Sequence, residues 1–277
     1  EAVTDDTIFL LTSMTKPIVG VAMMILFEEG KWKLDDAVAS YIHEFADLQV
    51  STDSGLASQS HPMTMRELMS HSAGFDVNQA KQYEDVNLRD RTLPMQRMID
   101  KLAGIPLAFQ PGTDWRYGPS ADVQAYLIEK LSGQPFEEFL HHRIFGPLGM
   151  NSTGFWPVAS DGPGRLSPAK LNRVSGVFGA GEDGRVVAMP DFTDASSRPP
   201  FTSGGGGLMS TAHDYERFAR MLVNEGELDG VRILQPSTVS LMQQNVLPPG
   251  ITVTASPGVG FGLDLAVVQD ADAERTR

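Results

Sequence analysis

Cysteine is absent from the 277 residues, which removes disulfides, cysteine-ligated zinc and thiol nucleophiles together. Basic residues are scarce: 22 Lys plus Arg stand against 35 Asp plus Glu, a net charge of −13. That balance excludes the basic face on which nucleic-acid binding depends, and it disfavours anionic membrane surfaces. Long apolar runs are missing too, since no window reaches the roughly eighteen uninterrupted apolar residues of a membrane span. Glu1-Ala2-Val3-Thr4-Asp5-Asp6 is acidic and polar, unlike a signal peptide, so the expected location is the cytoplasm. What is present suits a folded domain: at 41% hydrophobic and 21% charged residues the chain is too apolar to be disordered. This length buries roughly three quarters of the unfolded surface, enough for one large domain or two interlocked ones. Nothing in it sets the oligomeric state.

Along the chain, Thr7 to Leu11 is a short apolar run that reads as extended. Ile18, Val21, Ala22, Ile25 and Leu26 then recur at helical spacing, with Pro17 suited to a first turn and Gly30 to a left-handed end. Leu34 to Phe45 reads as a shorter helix capped by Asp35. Thr64-Met65-Arg66-Glu67 has capping-box form and opens a helix that stops near Ala73-Gly74. Further helices are predicted from Leu93 to Leu102, from Ser120 to Leu131 before Ser132-Gly133, and from Phe136 to Ile144. Between 151 and 207 glycine, proline and serine rise, and Asp183-Gly184 signals a hairpin. Thr211 caps a helix to about Asn224, and Leu228-Asp229-Gly230-Val231 is a tight turn. Ser237 to Gln244 is a last helix, and Gly260 to Val268 reads as one strand. The pattern is α/β, with an α/β layer over 1–45 and 201–277 and a mainly helical region, 46–200, inserted between.

Ser13-Met14-Thr15-Lys16 places Ser and Lys three apart at the start of the first long helix, on one face, with Cβ atoms about 5–6 Å apart. A buried lysine that gives up its proton becomes a base for the serine hydroxyl. The helix N-terminus adds N–H groups that favour a developing oxyanion. Alone the motif is weak: a capping serine beside a solvated lysine fits it better, and Ser167-Pro168-Ala169-Lys170 matches by chance in a Gly/Pro-rich loop. Context comes from Tyr117, which closes Phe109-Gln110-Pro111-Gly112-Thr113-Asp114-Trp115-Arg116-Tyr117 just ahead of the helix from Ser120. A phenol near a lysine ammonium can relay the serine proton.

Other candidates weigh less. Gly204 to Gly207 lacks the Gly-Lys-Ser/Thr of a phosphate loop and is read as backbone passing close to a cleft. His71 invites a triad, but Gly-x-Ser-x-Gly is absent, and a structural, hydrogen-bonded histidine is preferred. His141 and His142 lie on different helix faces and make a poor metal pair. Phe155 and Trp156, near Pro157, fit an acyl-pocket lining, and fit core packing at least as well.

Five segments carry a resemblance. They are Ile8-Phe9-Leu10-Leu11-Thr12-Ser13-Met14-Thr15-Lys16-Pro17, Met65-Arg66-Glu67-Leu68-Met69-Ser70-His71-Ser72-Ala73-Gly74-Phe75, Pro111 to Tyr117, Ile144-Phe145-Gly146-Pro147-Leu148-Gly149-Met150, and Gly205 to Tyr215. Together they resemble the serine β-lactamase and penicillin-binding-protein superfamily, in its β-lactamase-like carboxylesterase branch, the family VIII esterases. The resemblance implies an antiparallel sheet flanked by helices with an inserted all-helical domain and a site in the cleft between. It implies Ser13 as the acylated nucleophile, Lys16 as the base that activates it, and Tyr117 as the second proton-transfer residue. The Ser13 backbone N–H would form half of the oxyanion hole. Neither cofactor nor metal is implied, and the partner is a small-molecule ester.

Two departures qualify this. Pro119 stands where the lactamase members carry the asparagine of Tyr-x-Asn, which holds a β-lactam side-chain amide, so simple esters are favoured. Nothing after Phe261-Gly262-Leu263-Asp264-Leu265 fits the family's third motif, whose strand supplies the second oxyanion N–H. The expected function is hydrolysis of short-chain carboxylic esters through an acyl-enzyme on Ser13. An acyltransferase and a β-lactamase or D-amino-peptide hydrolase are the alternatives, while a non-enzymatic relative would usually have lost Ser13 or Lys16. Because family members have further strands on both sides, this numbering is expected to describe an internal segment of a longer chain.

Overall fold

Helix α1 (Thr15–Glu28) runs through the interior: every residue from Ile18 to Leu26 is buried, as befits a helix apolar on all sides. Its main neighbour is α5 (Ser120–Ser132), buried from Ser120 to Ile128 and ended by Gly133 at φ 70°. Each aliphatic side chain fully buried between them contributes about 1.5–3 kcal/mol, against about 0–1 kcal/mol for an exposed ion pair. The α1–α5 contact is therefore the framework on which the surrounding loops are placed. The computed structural model describes residues 3–88, 90, 92–155, 163–181, 183–188, 202–253, 256 and 258–270.

Around this pair stand α2 (Met65–Met69), α3 (Ala80–Asp85), α4 (Met95–Ala103), α6 (Phe136–Leu140), α7 (Ala212–Val223) and α8 (Pro236–Met242). The strands are short and pair antiparallel: β1 (Phe9–Leu10) with β6 (Met209–Ser210), β2 (Gln49–Thr52) with β3 (Gly55–Ser58), and β4 (Phe178–Ala180) with β5 (Val186–Ala188). Likewise β7 (Glu227–Leu228) pairs with β8 (Val231–Arg232), and β9 (Val259–Phe261) with β10 (Ala266–Val268). The architecture is α/β, with antiparallel strand pairs flanked by helices. One apolar core runs without a break from Leu11 to Leu263 and draws residues from both regions distinguished in the sequence.

Several elements form as their residues dictate. Thr64 Oγ1 accepts from the Glu67 N–H at 3.2 Å while the Glu67 carboxyl accepts from the Thr64 N–H at 2.8 Å, a complete capping box. The Asp183-Gly184 turn joins β4 to β5, and Asp229-Gly230, both at positive φ, joins β7 to β8. Thr211 caps α7 by accepting from the Asp214 N–H.

Three expectations are corrected. Residues 34–45 form no α-helix, only single 3₁₀ turns at Val38–Ser40 and His43–Phe45. The Leu34 and Asp36 carbonyls accept from the Arg66 and Met65 N–H groups at the start of α2, so the segment bonds to a distant element where a helix would bond to itself. Asp35 caps nothing and instead pairs with Arg66 at 2.9 Å. Gly260 to Val268 is a hairpin, because Asp264 takes φ 57° and its N–H is donated to the Met69 carbonyl. The helix from Phe136 ends its α portion at Leu140 and continues as a π-turn, His141–Phe145. The β2–β3 hairpin was not foreseen.

The capping box holds the segment that leads into His71. Thr64→Ala is expected to lower stability by about 1 kcal/mol, read as a reduced urea midpoint at unchanged m-value.

Candidate active site

Ser13 lies in a 3₁₀ turn, Thr12–Met14, that β1 delivers to the N-terminus of α1. Thr12 takes φ 47°, which turns the chain sharply and leaves Ser13 exposed on the cleft floor. One helical turn on, Lys16 is 7% exposed and donates from Nζ to Ser13 Oγ at 3.1 Å and to the Gly205 carbonyl at 2.6 Å. The same Nζ sits 4.6 Å from the centroid of the Tyr117 ring. Ser13, Lys16 and Tyr117, separate in sequence, therefore line one cavity of about 240 Å³, together with Leu10, Pro119 and Gly205. Val77, Tyr83 and Leu88 on its rim also border a neighbouring cavity of about 290 Å³ beside α3.

Tyr117 is fixed from several sides. Its ring stacks on His71 at 4.7 Å and 18°, and its carbonyl accepts from the Val77 N–H at 2.6 Å. Beside it, Arg116 donates to the buried Asp76 carboxyl at 2.7 Å and to Asp114 at 2.8 Å. The hydrogen bond to Asp76, then that to Asp114, holds the Arg116 guanidinium still further above its ordinary value. The glycine run crosses the cleft at Gly205, whose N–H is donated to Asp122 Oδ1 at 2.8 Å. A Cβ there would lie 2.8 Å from Asp122 Oδ2, so a larger residue would have to displace that carboxylate. A hydroxyl nucleophile, an amine within reach of it and a phenol over that amine make a constellation suited to acyl transfer.

The family model described as Beta-lactamase matches residues 1–275. The chain belongs to the beta-lactamase family. This beta-lactamase-family chain is 33% identical over 289 residues to Protein Rv1367c of Mycobacterium tuberculosis, covering 98% of this chain and 69% of that protein. It is 31% identical over 312 residues to the lovastatin esterase of Penicillium rubens, covering 98% and 73%. Among solved structures it is similar to EstCE1, described as a hydrolase with promiscuous acyltransferase activity, with a TM-score of 0.74 and 28% identity over 98% of this chain and 71% of that one.

Other residues singled out in the sequence of this beta-lactamase-family member fall elsewhere. Ser167 precedes a 3₁₀ turn, Pro168–Arg173, in which Lys170 Nζ donates to the Asn151 carbonyl, and neither lines the cleft. Phe155 is buried against Phe136 at 5.4 Å, a core position, while Trp156 and Pro157 lie outside the described residues. The rings of His141 and His142 are 5.5 Å apart, and among the described residues no three metal-ligating side chains converge. Among those residues, too, no helix is long and apolar enough to cross a membrane.

His71 departs from expectation, because neither ring nitrogen has a hydrogen-bond partner among the described residues. It takes φ 60° and is enclosed by Tyr117, Trp115 and Phe261. Burial, followed by the nearby Lys16 charge, lowers its pKa to about 3, so it is a neutral aromatic plate at physiological pH. Two further residues were not singled out from sequence. Asp122 lies five residues past Tyr117 on the first turn of α5, a spacing that was the available signal. Asp264 packs against α1 one turn beyond Lys16, where Gly20 leaves room: a Cβ at Gly20 would lie 2.8 Å from Asp264 Cβ. Asp264 Oδ1 accepts from Gln124 Nε2 at 3.1 Å, and Oδ2 has no partner among the described residues.

These two buried groups act on stability with opposite sign. Burial pushes the Asp264 carboxyl up to about 8 from 3.8, so the folded chain holds a proton that the unfolded chain has lost between those values. Its contribution is full below about pH 4 and is lost as pH rises through 8. His71 contributes stability above about pH 6.5 that is lost as pH falls towards 3. Asp264→Asn, which carries no charge to bury, is expected to gain stability relative to native protein as pH rises from 4 to 8. Urea titrations at both ends of that range check it, and a pH-independent difference would show that Asp264 is not held protonated.

Proposed function

We propose that the chain is a serine carboxylesterase that cleaves short-chain esters through an acyl-enzyme on Ser13. The observation that carries this is the Lys16–Ser13 contact of 3.1 Å beneath the Tyr117 ring, at the floor of the cleft. Ser13 Oγ forms a bond to the ester carbonyl carbon as its proton passes to the lone pair of the Lys16 amine, one N–H of which stays on the Gly205 carbonyl. The tetrahedral oxyanion, stabilised by the Ser13 backbone N–H and the start of α1, collapses with cleavage of the carbon–alkoxy bond. The leaving alkoxide takes a proton from the Tyr117 phenol, which is replenished from Lys16. Water then attacks the acyl carbon as its proton passes to the same pair; the bond from Ser13 Oγ to the acyl carbon breaks, the carboxylic acid leaves, and Ser13 Oγ takes that proton back.

Two features favour simple esters. The cavity of about 240 Å³ suits a small acyl group. Pro119 on its wall carries no side-chain donor or acceptor with which to hold a β-lactam amide. The promiscuous acyltransferase activity of EstCE1 supports a second outcome for the same intermediate, in which an alcohol takes the acyl group in place of water.

Ser13→Ala is expected to abolish p-nitrophenyl acetate and butyrate cleavage with the fold intact by circular dichroism. Lys16→Ala and Tyr117→Phe should each lower kcat by about 10²-fold or more, whereas Ser167→Ala should match native protein. Retained turnover in Ser13→Ala would overturn the proposal. Nitrocefin cleavage as fast as ester cleavage would move it to a lactamase, and ester formation with added methanol would reveal acyl transfer.

A further inference from the structure

Lys16 reaches its second acceptor, the Gly205 carbonyl, across 189 positions of sequence, so something must hold that carbonyl in place. Glycine is the residue least able to hold itself, since its backbone has the greatest conformational freedom to lose. The segment from Ser203 to Gly207 contains four glycines in a row. A single side-chain atom on another element restrains it: Asp122 Oδ1 accepts from Ser203 Oγ at 2.8 Å and from the Gly205 N–H at 2.8 Å. Asp122 itself is 3% exposed and stands on the rigid α1–α5 framework. The N–H that it grips and the carbonyl that Lys16 uses belong to the same residue.

We propose that Asp122 is a positioning residue for acyl transfer: by gripping the Ser203–Gly205 backbone it aims the Gly205 carbonyl at Lys16, and through it sets the Lys16 amine against Ser13. This role rests on the acyl-enzyme at Ser13 proposed above. It differs from that of an acidic residue that only favours the start of α5, because such a residue needs its charge and not its acceptor geometry. A displacement of about 1 Å in a reacting group can lower a rate by about 10²-fold, so the grip need fail only slightly to be felt.

The test compares three variants of the full chain. Asp122→Ala removes the acceptor, Asp122→Asn keeps an oxygen able to accept both bonds without the charge, and Asp122→Glu keeps charge and acceptor but displaces the loop by one methylene. For each, the rate at which a fluorophosphonate modifies Ser13 is followed by intact mass, together with hydrogen exchange at the Gly205 amide. Asp122→Ala and Asp122→Glu are expected to slow modification of Ser13 about tenfold or more, with reversible affinity for the probe changed less than about threefold, and to expose the Gly205 amide to exchange. Asp122→Asn is expected to stay within about threefold of native protein in rate. Should Asp122→Ala fail to fold, Asp122→Glu carries the same expectation. A normal rate in a variant whose Gly205 amide has opened would overturn the proposal, as would a protected amide in Asp122→Ala. Native protein that is not modified at Ser13 would instead remove the acyl-enzyme itself, which keeps the two failures distinct.

Discussion

A lysine amine cannot be taken into a protein interior without acceptors waiting for it, and the surroundings of Lys16 are arranged to supply them. From Ile18 to Leu26 helix α1 is apolar and buried, so its fixed place in the core also fixes where that amine emerges. Three different elements then converge on it: the turn that carries Ser13, the glycine run that offers the Gly205 carbonyl, and the loop that lays the Tyr117 ring over Nζ. Each satisfies the amine and is itself held by the framework that buries it. The chemistry and the folding problem share one solution.

The tyrosine loop illustrates how far this goes. Tyr117 gains its orientation from a histidine whose ring nitrogens have no hydrogen-bond partner among the described residues, so that the ring serves as a flat, uncharged surface. Protonation of that ring would set a second cation beside Lys16, which burial and the Lys16 charge both oppose. Arg116 and Asp76 anchor the loop from the solvent side, and Phe261 from the β9–β10 hairpin closes the stack from the other. Aromatic packing here does work that hydrogen bonds perform elsewhere in the cleft.

Much of this was legible in the residues because it depends on neighbours in sequence. The Thr64 capping box, the Gly133 helix end, the Asp229-Gly230 turn and the Ser13–Lys16 spacing are local devices, and the chain adopts each of them. What was misread depends on distant partners. Residues 34–45 carry helix-compatible side chains, yet the Leu34 and Asp36 carbonyls at the start of the segment accept from α2. The final hairpin turns at Asp264 because the Met69 carbonyl captures its N–H, which no pattern within 260–268 announces. His71 looked like a residue that needs hydrogen bonds, and only its enclosure by three aromatic rings shows otherwise. The glycine run was legible as a close approach of backbone, but not as a carbonyl ligand for Lys16, since that role belongs to an atom every residue possesses.

The pairing of β1 with β6 brings Phe9 opposite Ser210, so the segment that delivers Ser13 is anchored by residues some two hundred positions later. Contacts of such long range impose a loop-closure entropy that must be met before they return any stabilisation. A nascent chain thus carries its serine and lysine from an early point in synthesis, yet has no aligned pair until the stretch beyond Gly205 has left the ribosome and docked. On the proposed mechanism, a partly made or partly unfolded chain presents the motif without the second acceptor that Lys16 uses.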